Sequence, residues 1–170
     1  MTVFFDVDTQ LDFVNPSGAL YVPGAEKRIR TIADLNRRAP RLLSTVDAHA
    51  EDDIEFRAWP PHCIAGTLGQ RKPAATLVGG SQIIFEKTTT NAFLNPRLLP
   101  LLAELGADRY VVYGVVTEIC VRFAALGLLA TGKPVEVVTD AVESLSPDAA
   151  SAFYAEFTAR GGRLLSSSTI

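Results

Sequence analysis

A cysteine lies where an apolar segment of the chain passes into a helical pattern, in the run YGVVTEICV over residues 113–121. Residues 109–113 predict a short buried strand, and residues 121–131 keep helical apolar spacing before Gly132. Cys120 is therefore expected in the first turn of a helix, where free backbone N–H groups and the helix dipole favour a thiolate or an oxyanion. The alternative is a buried structural cysteine, since most free cysteines are of that kind. A catalytic cysteine needs partners from elsewhere in the chain.

Polar side chains also stand at the ends of other predicted strands. They are Asp8 after residues 2–7, Asp47 and His49 after residues 41–46, and Lys87 after residues 82–86. Because the strands of a parallel sheet point the same way, these groups and Cys120 are predicted to meet at one rim. A lysine cation lowers the pKa of a nearby thiol and a carboxylate accepts its proton, so Asp8, Lys87 and Cys120 form a workable catalytic set. Taken singly, each could instead cap a loop or end a strand.

The chain has two histidines, and both follow the second predicted strand. In an extended backbone Asp47 and His49 point to the same side, so a carboxylate and an imidazole could hold a metal ion while His62 supplies a third ligand. Three protein ligands leave room for water or substrate. Hydrogen-bonded loop histidines are the alternative, because this Asp/His spacing is not unique to metal sites.

Strands alternate with helices along the chain. The predicted strands are residues 2–7, 41–46, 82–86, 109–113, 134–139 and 162–165, and the predicted helices are residues 24–38, 96–105, 121–131 and 146–160. Residues 47–80 interrupt this alternation, and structured loops of such length are usually functional. The pattern predicts an α/β fold, a three-layer α/β/α sandwich with a mainly parallel, Rossmann-like six-stranded sheet, in a single domain over residues 1–170. Residues 166–169 are predicted to form a tail.

The composition argues against several classes of function. The chain has 170 residues, of which 48% are hydrophobic, a net charge of −3 and a pI near 5.4. No basic face or Lys/Arg run is present, so nucleic acid is not an expected partner. The N-terminal run is not basic and no apolar run is long enough to span a membrane, so neither export nor a membrane partner is expected. Two cysteines do not make a disulfide framework, and a working thiol suits the cytoplasm, which is the expected location.

Several of these residues stand in recognisable motifs. DTQLDF over residues 8–13 is similar to the motif D-x-Q-x-D-F, GVVTEICV over residues 114–121 is similar to G-V-x-T-E-x-C-V, and Lys87 matches a lysine that follows the third strand. In these motifs the chain resembles the nicotinamidase and isochorismatase-like cysteine hydrolase superfamily, from residue 4 to about residue 165. The resemblance implies that Asp8 is the catalytic aspartate, that Lys87 is its partner and that Cys120 is the nucleophile.

The nicotinamidase branch of that superfamily carries D-x-H and W-P-x-H-C, which stand here over residues 47–49 and 59–63. The resemblance therefore implies a divalent metal ion on the Asp47, His49 and His62 set, zinc in the first place and iron or manganese as alternatives. It also implies that Phe13 and Trp59 flank a flat substrate ring, although ordinary core packing is the other interpretation of large aromatics. A cis peptide is implied where Val115 meets Val116, and it would direct the Val116 N–H, with that of Cys120, into an oxyanion hole.

The chain also departs from the family pattern. Nicotinamidases often have another histidine a few residues beyond D-x-H, and Asp53 stands there instead, which leaves the identity of the ion open. Asp6 adds an acid to the strand that enters the site, and repulsion would raise one pKa if Asp6 lay close to Asp8. The run TTTNAF over residues 88–93 does not reproduce the nicotinamidase segment after the lysine. The reaction type is therefore better defined than the substrate.

The resemblance implies hydrolysis of a small carboxamide through a thioester of Cys120, with release of ammonia. One alternative is another hydrolase of the superfamily, acting on a carbamoyl compound or an isochorismate-type ether. A second alternative is a binding or redox protein with a reactive thiol, in which Cys63 could resolve a disulfide only if the loop brought it close. The expected partner is a small-molecule amide, and a homo-oligomer is expected by resemblance only.

Overall fold

The computed structural model describes residues 1–80 and 82–170, and a six-stranded sheet lies at its centre. The strands are β1 (Thr2–Val7), β2 (Leu42–Asp47), β3 (Gln82–Lys87), β4 (Arg109–Val115), β5 (Val135–Glu143) and β6 (Arg163–Leu165). They lie in the order β3-β2-β1-β4-β5-β6, and each described pair of neighbours is parallel. The predicted parallel, Rossmann-like α/β sheet is confirmed.

α-Helices lie in every connection between consecutive strands except that from β2 to β3, where the described residues form 3-10 turns and irregular structure. The α-helices are α1 (Leu11–Val14), α2 (Ile29–Arg38), α3 (Leu98–Leu105), α4 (Arg122–Leu129) and α5 (Pro147–Ala159). Two predictions need correction. A π-helical turn over Thr117–Val121 comes before α4, so Cys120 lies in that turn. Ser167–Thr169 is a 3-10 turn rather than a tail, because the Asp140 carboxylate accepts the Ser167 N–H at 2.8 Å and holds the segment against β5.

Strands β1 and β4 lie in the middle of the sheet and are buried almost throughout, since helices cover both of its faces. Their apolar side chains and those of β2, β5, α2, α4 and α5 form the main core. Within the described ranges, no helix combines the length and the apolar character that a bilayer crossing requires.

The strand order reverses between β1 and β4, and sites in such sheets form beyond the strand ends at that point. Val7 pairs there with Gly114, which has φ of 118°. A Cβ at Gly114 would lie 2.1 Å from the Val7 carbonyl oxygen, so only glycine allows the two backbones to approach so closely. The close approach sets Asp8, directly after β1, beside the turn that carries Cys120.

Candidate active site

A pocket with about 420 Å³ of empty space, part of it open to solvent, lies beyond the carboxyl ends of the strands. Phe13, Leu20, Tyr21, Val22, Asp47, Glu55, Trp59, His62, Thr90, Val116, Ile119, Cys120 and Leu145 line it. The predicted site residues Phe13, Asp47, Trp59, His62, Val116 and Cys120 are thus in its wall. Asp8, Lys87 and His49 are buried close behind that wall. The structure brings the predicted residues together from four separate parts of the chain.

Lys87 joins the predicted acid to the pocket. Its Nζ lies 2.7 Å from Asp8 Oδ2, and both side chains are about 1% exposed. Thr45 donates its hydroxyl to Asp8 Oδ1 at 2.7 Å, which fixes the carboxylate from its other side. Lys87 also donates a short hydrogen bond to Asp47, a contact that the sequence did not predict. One ammonium group therefore links the predicted acid of the reaction to the predicted metal ligand.

The surroundings of Cys120 in the structure act in both directions on the expected thiolate. Burial raises the pKa of the Cys120 thiol well above its ordinary value; Lys87 opposes this shift, and the Asp8 and Asp47 carboxylates add to it. Burial also raises the pKa of Asp8, against the influence of Lys87. Burial therefore works against the thiolate of Cys120 and makes the Asp8 carboxylate more basic.

Gln10 and Asp12, from the motif over residues 8–13, hold the surrounding loops in place. Gln10 donates its side-chain amide to Asp47 O at 2.8 Å and accepts the Asp47 N–H at 2.7 Å. Asp12 accepts the Cys63 N–H at 2.7 Å and the Ala19 N–H at 3.0 Å. The Gln10 and Asp12 contacts hold both metal-site segments against the part of the chain that follows β1.

The two histidines come together through a short piece of parallel pairing between His49 and Ile64. The His49 N–H donates to Cys63 O at 3.1 Å, and the Ala65 N–H donates to His49 O at 2.9 Å. His49 Nε2 and His62 Nε2 each lie 3.9 Å from Asp47 Oδ2. The ligand atoms of these residues all lie within 4.8 Å of one another, close enough to bind a single ion.

The hydrogen bonds of the imidazoles fit such an ion. His62 Nδ1 lies 2.7 Å from Pro60 O, and because a carbonyl only accepts, Nδ1 carries the proton and Nε2 is free to coordinate. His49 Nδ1 lies 3.0 Å from Asp53 Oδ2 and donates to that carboxylate, so Nε2 is the nitrogen that would face an ion. Among the described residues, that buried nitrogen has no hydrogen-bond partner. One carboxylate and two imidazole nitrogens are a donor set that suits zinc.

Asp53 supports the metal site from outside. Burial alone would lower the pKa of His49, but the Asp47 and Asp53 carboxylates raise it to about 9, so an ion would displace a proton from His49 Nε2 when it binds. Asp53 Oδ1 accepts the Glu55 N–H at 2.9 Å, which keeps the carboxylate in place. The residue that stands where relatives often have a histidine therefore orients His49, and it is not part of the ligand group.

Replacing Asp53 with asparagine is expected to weaken zinc binding by about 10- to 100-fold, as the loss of a carboxylate behind a ligating histidine does. Competition with a chromophoric chelator measures the affinity. Asp52→Asn is the matched control, because Asp52 is exposed in the same loop. An unchanged affinity in Asp53→Asn, or an equal loss in Asp52→Asn, would contradict this role.

Asp6 does not crowd Asp8. Asp8 has φ of 49°, outside the extended region, so it no longer follows the side-chain alternation of β1. Asp6 instead lies 2.9 Å from the Lys72 ammonium and accepts a 2.8 Å hydrogen bond from Asn36 Nδ2. Tyr113 completes this separate buried cluster by donating its hydroxyl to Asn36 at 2.7 Å. Asp6 is thus balanced by its own cation.

Several residues of the site were not predicted from the sequence. The Phe56 ring lies 5.3 Å from that of His49 and 5.7 Å from that of His62, so it packs against both imidazoles. Glu55 lines the pocket from a 3-10 turn and Leu20 from a loop, and neither segment carries a periodic signal. Thr90 also lines the pocket, and it belongs to residues 88–93, which depart from the family pattern. This departure therefore lies in the pocket wall itself.

The aromatic and backbone features implied by the resemblance are also present. Phe13 and Trp59 line the pocket, and the Phe13 ring lies 5.3 Å from that of His62. The Val115–Val116 peptide is cis. Cys63 and Cys120 are both free thiols, so the pair does not form a disulfide in this structure.

Comparison with known proteins agrees with these features. Residues 2–169 match the isochorismatase domain family. The nicotinamidase/pyrazinamidase of Mycobacterium tuberculosis is 27% identical over 187 residues, which cover 99% of this chain and 100% of that protein. The maleamate amidohydrolase of Pseudomonas putida is 26% identical, over 80% of this chain and 69% of that protein. The pyrazinamidase of Pyrococcus horikoshii, solved in complex with zinc, superposes with a TM-score of 0.90 at 30% identity and covers 97% of this chain and 98% of its own.

Proposed function

Because the chain belongs to the isochorismatase family and is a hydrolase of amide carbon–nitrogen bonds, we propose that it is a nicotinamidase-like amidase. Its substrate would be a small, flat carboxamide, and its products the carboxylic acid and ammonia. Cys120 would act as the nucleophile through a thioester. The observation that supports this most is the buried Asp8–Lys87 pair beside a pocket that contains Cys120, Phe13 and Trp59.

In the first half of the reaction, Asp8 takes the proton of the Cys120 thiol as sulfur attacks the amide carbon. A buried thiol of raised pKa needs a base of raised basicity, and burial gives Asp8 that property. The carbonyl oxygen becomes an oxyanion, which the N–H groups of Val116 and Cys120 would stabilise. Asp8 then returns the proton to the amide nitrogen, the carbon–nitrogen bond breaks, and ammonia leaves a thioester on Cys120.

In the second half, water replaces ammonia. Asp8, again a carboxylate, takes a proton from the water as its oxygen attacks the thioester carbon, and the carbon–sulfur bond breaks. The proton returns to the Cys120 sulfur, so the free thiol is restored. Lys87, at 2.7 Å from Asp8, keeps its position in both halves and stabilises the carboxylate whenever it is ionised.

The Asp47, His49 and His62 group would hold a divalent ion, for which we propose zinc. When bound, the ion would supply a Lewis-acid contact that orients a ring nitrogen of the substrate or a water molecule. The nucleophile remains the cysteine sulfur. Asp47 would then bind the ion and also form the ion pair with Lys87.

Ammonia release from a panel of substrates tests the proposal. We expect the zinc-loaded protein to release ammonia from nicotinamide and pyrazinamide, with kcat/KM in the range of about 10⁴ M⁻¹s⁻¹ or above. Carbamoyl amino acids and an isochorismate-type vinyl ether serve as comparison substrates, and the ion-free protein serves as the control for the metal. If the protein hydrolysed a comparison substrate but neither nicotinamide nor pyrazinamide, it would have another activity of the same family. If none of zinc, iron and manganese increased ammonia release over the ion-free protein, the proposed metal site would be contradicted.

A further inference from the structure

The mouth of the pocket carries a leucine that is attached to the turn of Cys120. Leu145 lies between β5 and α5, lines the pocket and is 46% exposed. Its N–H donates to Glu118 Oε1 at 3.0 Å, and the N–H of Ser146 donates to the same oxygen at 2.8 Å. Glu118 stands two residues before Cys120 in the π-helical turn. The position of Leu145 is therefore fixed relative to the Cys120 turn.

The contact depends on one acceptor oxygen of Glu118. Among the described residues, the other oxygen, Oε2, is buried and has no hydrogen-bond partner. Ser146 caps α5 by accepting the Ala149 N–H at 3.3 Å, so the Glu118 carboxylate lies at the positive end of a 13-residue helix. At the other end of the segment, Glu143 forms an ion pair with Arg28 at 2.9 Å. Residues 144–146 are therefore held from both sides.

Three aliphatic side chains form one side of the pocket. Leu20, Ile119 and Leu145 all line it, and each keeps part of its surface exposed. Ile119 follows Glu118 directly, and Ile119 and Leu20 pack against the same small apolar cluster, which includes Val116. Removing such apolar surface from water is favourable. This aliphatic side of the pocket therefore fits an apolar group of a ligand.

We propose that Leu20, Ile119 and Leu145 form a subsite for an alkyl substituent of the substrate, and that Glu118 is the positioning residue that holds Leu145 there. This inference rests on the proposed function, since it places the carboxamide at Cys120. Ile119 is the neighbour of Cys120, so a group on the substrate ring can extend from the amide along the aliphatic side to the mouth. Because Glu118 orders Leu145 in advance, binding does not have to order that segment. The substrate class is then an aromatic amide with a small alkyl group.

Binding of ligands that share one ring tests the subsite without catalysis. Benzamide is the reference, 3- and 4-isopropylbenzamide add an apolar group, and 3- and 4-acetylbenzamide add a polar group of similar size. Calorimetry measures their Kd values on zinc-loaded Cys120→Ala protein, and on the same protein carrying Leu145→Ala, Glu118→Met, Glu118→Gln or Leu99→Ala. Leu99 is the matched control, because it is 54% exposed on α3 and lies outside the pocket lining.

We expect the isopropyl group at the better of the two positions to lower the Kd about tenfold or more relative to benzamide, and the acetyl group at that position to lower it less than about threefold. Leu145→Ala should reduce the isopropyl gain to about threefold or less, and Leu99→Ala should leave it within about twofold.

The two Glu118 variants separate the acceptor oxygen from the rest of the side chain. Glu118→Met removes the acceptor and keeps the chain length, so it should reduce the isopropyl gain as Leu145→Ala does. Glu118→Gln retains an acceptor oxygen, so it should keep the gain within about twofold. A purely structural role of Glu118 would shift the Kd values of benzamide and its isopropyl derivatives together and leave their ratio unchanged.

The inference is overturned if neither isopropyl ligand binds more tightly than benzamide, if Leu145→Ala keeps the gain, or if Leu99→Ala loses it equally. Retention of the gain in a folded Glu118→Met protein, or its loss in Glu118→Gln, would remove Glu118 as the positioning residue. If circular dichroism shows that Glu118→Met does not fold, the Glu118→Gln and Leu145→Ala results still decide.

Ammonia release by the unmutated protein separates this failure from failure of the proposed function. An isopropyl gain of the expected size in a protein that hydrolyses none of these amides and no nicotinamide would refute the amidase proposal alone. Hydrolysis of nicotinamide without an isopropyl gain would refute the subsite alone.

Discussion

Replacing Cys120 with alanine is expected to reduce ammonia release by a factor on the order of 10⁴ or more, because the covalent route is lost with the sulfur. The fold should remain, since a thiol and a methyl group differ little in volume and Cys120 forms no disulfide. Single-turnover assays of ammonia, with circular dichroism and thermal unfolding of the same sample, measure both properties. Trapping of a radiolabelled acyl group on the unmutated protein at low pH would identify the thioester.

Cys63→Ala is the matched control for this experiment. Cys63 is also free and fully buried, and burial raises the pKa of its thiol, with Asp47 and Asp12 adding to the shift. It lies outside the pocket lining, so turnover should stay within about tenfold of the unmutated protein, and the cost should be limited to a small cavity. Equal loss of turnover in both variants would point to a redox pair rather than a nucleophile. Retained turnover in Cys120→Ala would remove the cysteine from the mechanism.

The parts of the site that the sequence could predict are those fixed by strand ends. Asp8, Asp47 and Lys87 directly follow or end apolar runs, and parallel pairing brings the ends of such runs to one rim whatever their separation in the chain. Cys120 was predicted beside them for the same reason, although its turn is π-helical. This convergence depends on the parallel topology of the sheet, which the alternation of strand and helix patterns along the sequence predicts.

The parts that the sequence could not predict depend on side-chain geometry within irregular loops. Asp53 accepts a hydrogen bond from His49. The sequence showed only that Asp53 stands where relatives often have a histidine, and it left the ligands of the ion open. Glu55 stands two residues further on, and no periodicity shows that it enters the pocket. The protonation of Cys120 depends on burial and on the sum of three charges, and burial can only be counted once the fold is known.

Lys87 connects the two halves of the site in a way that neither motif shows alone. Its ammonium group lies 2.7 Å from Asp8, the proposed base, and forms an ion pair with Asp47, one of the proposed metal ligands. Burial alone would lower the pKa of Lys87, but Asp8, Cys120 and Asp47 raise it well above its ordinary value. The raised pKa keeps Lys87 protonated, and its ammonium group offsets the charges of the Asp8 and Asp47 carboxylates.

Replacing Lys87 with methionine should consequently affect both stability and turnover. The side chain is about 1% exposed, and its loss leaves two buried carboxylates without their cation, which should lower the free energy of unfolding by about 3–5 kcal/mol. The loss should be smaller at acidic pH: the pKa of an uncompensated buried carboxylate is raised, so protonation on acidification relieves the penalty and ionisation at higher pH restores it. Turnover should fall by at least about 100-fold, because Asp8 and the thiolate lose their counter-ion.

Lys72→Met separates the two effects, because Lys72 is also a buried lysine, 2.9 Å from Asp6, but lies outside the pocket lining. It should destabilise the protein to a similar extent, since it too leaves a buried carboxylate unpaired. Turnover measured below the unfolding temperature of both variants should nevertheless stay within about tenfold of the unmutated protein, because Asp8 keeps Lys87 and Thr45. Equal losses of turnover in Lys72→Met and Lys87→Met would mean that the lysine acts through stability alone. A Lys87→Met protein with unchanged stability at neutral pH would contradict the charge balance on which the site depends.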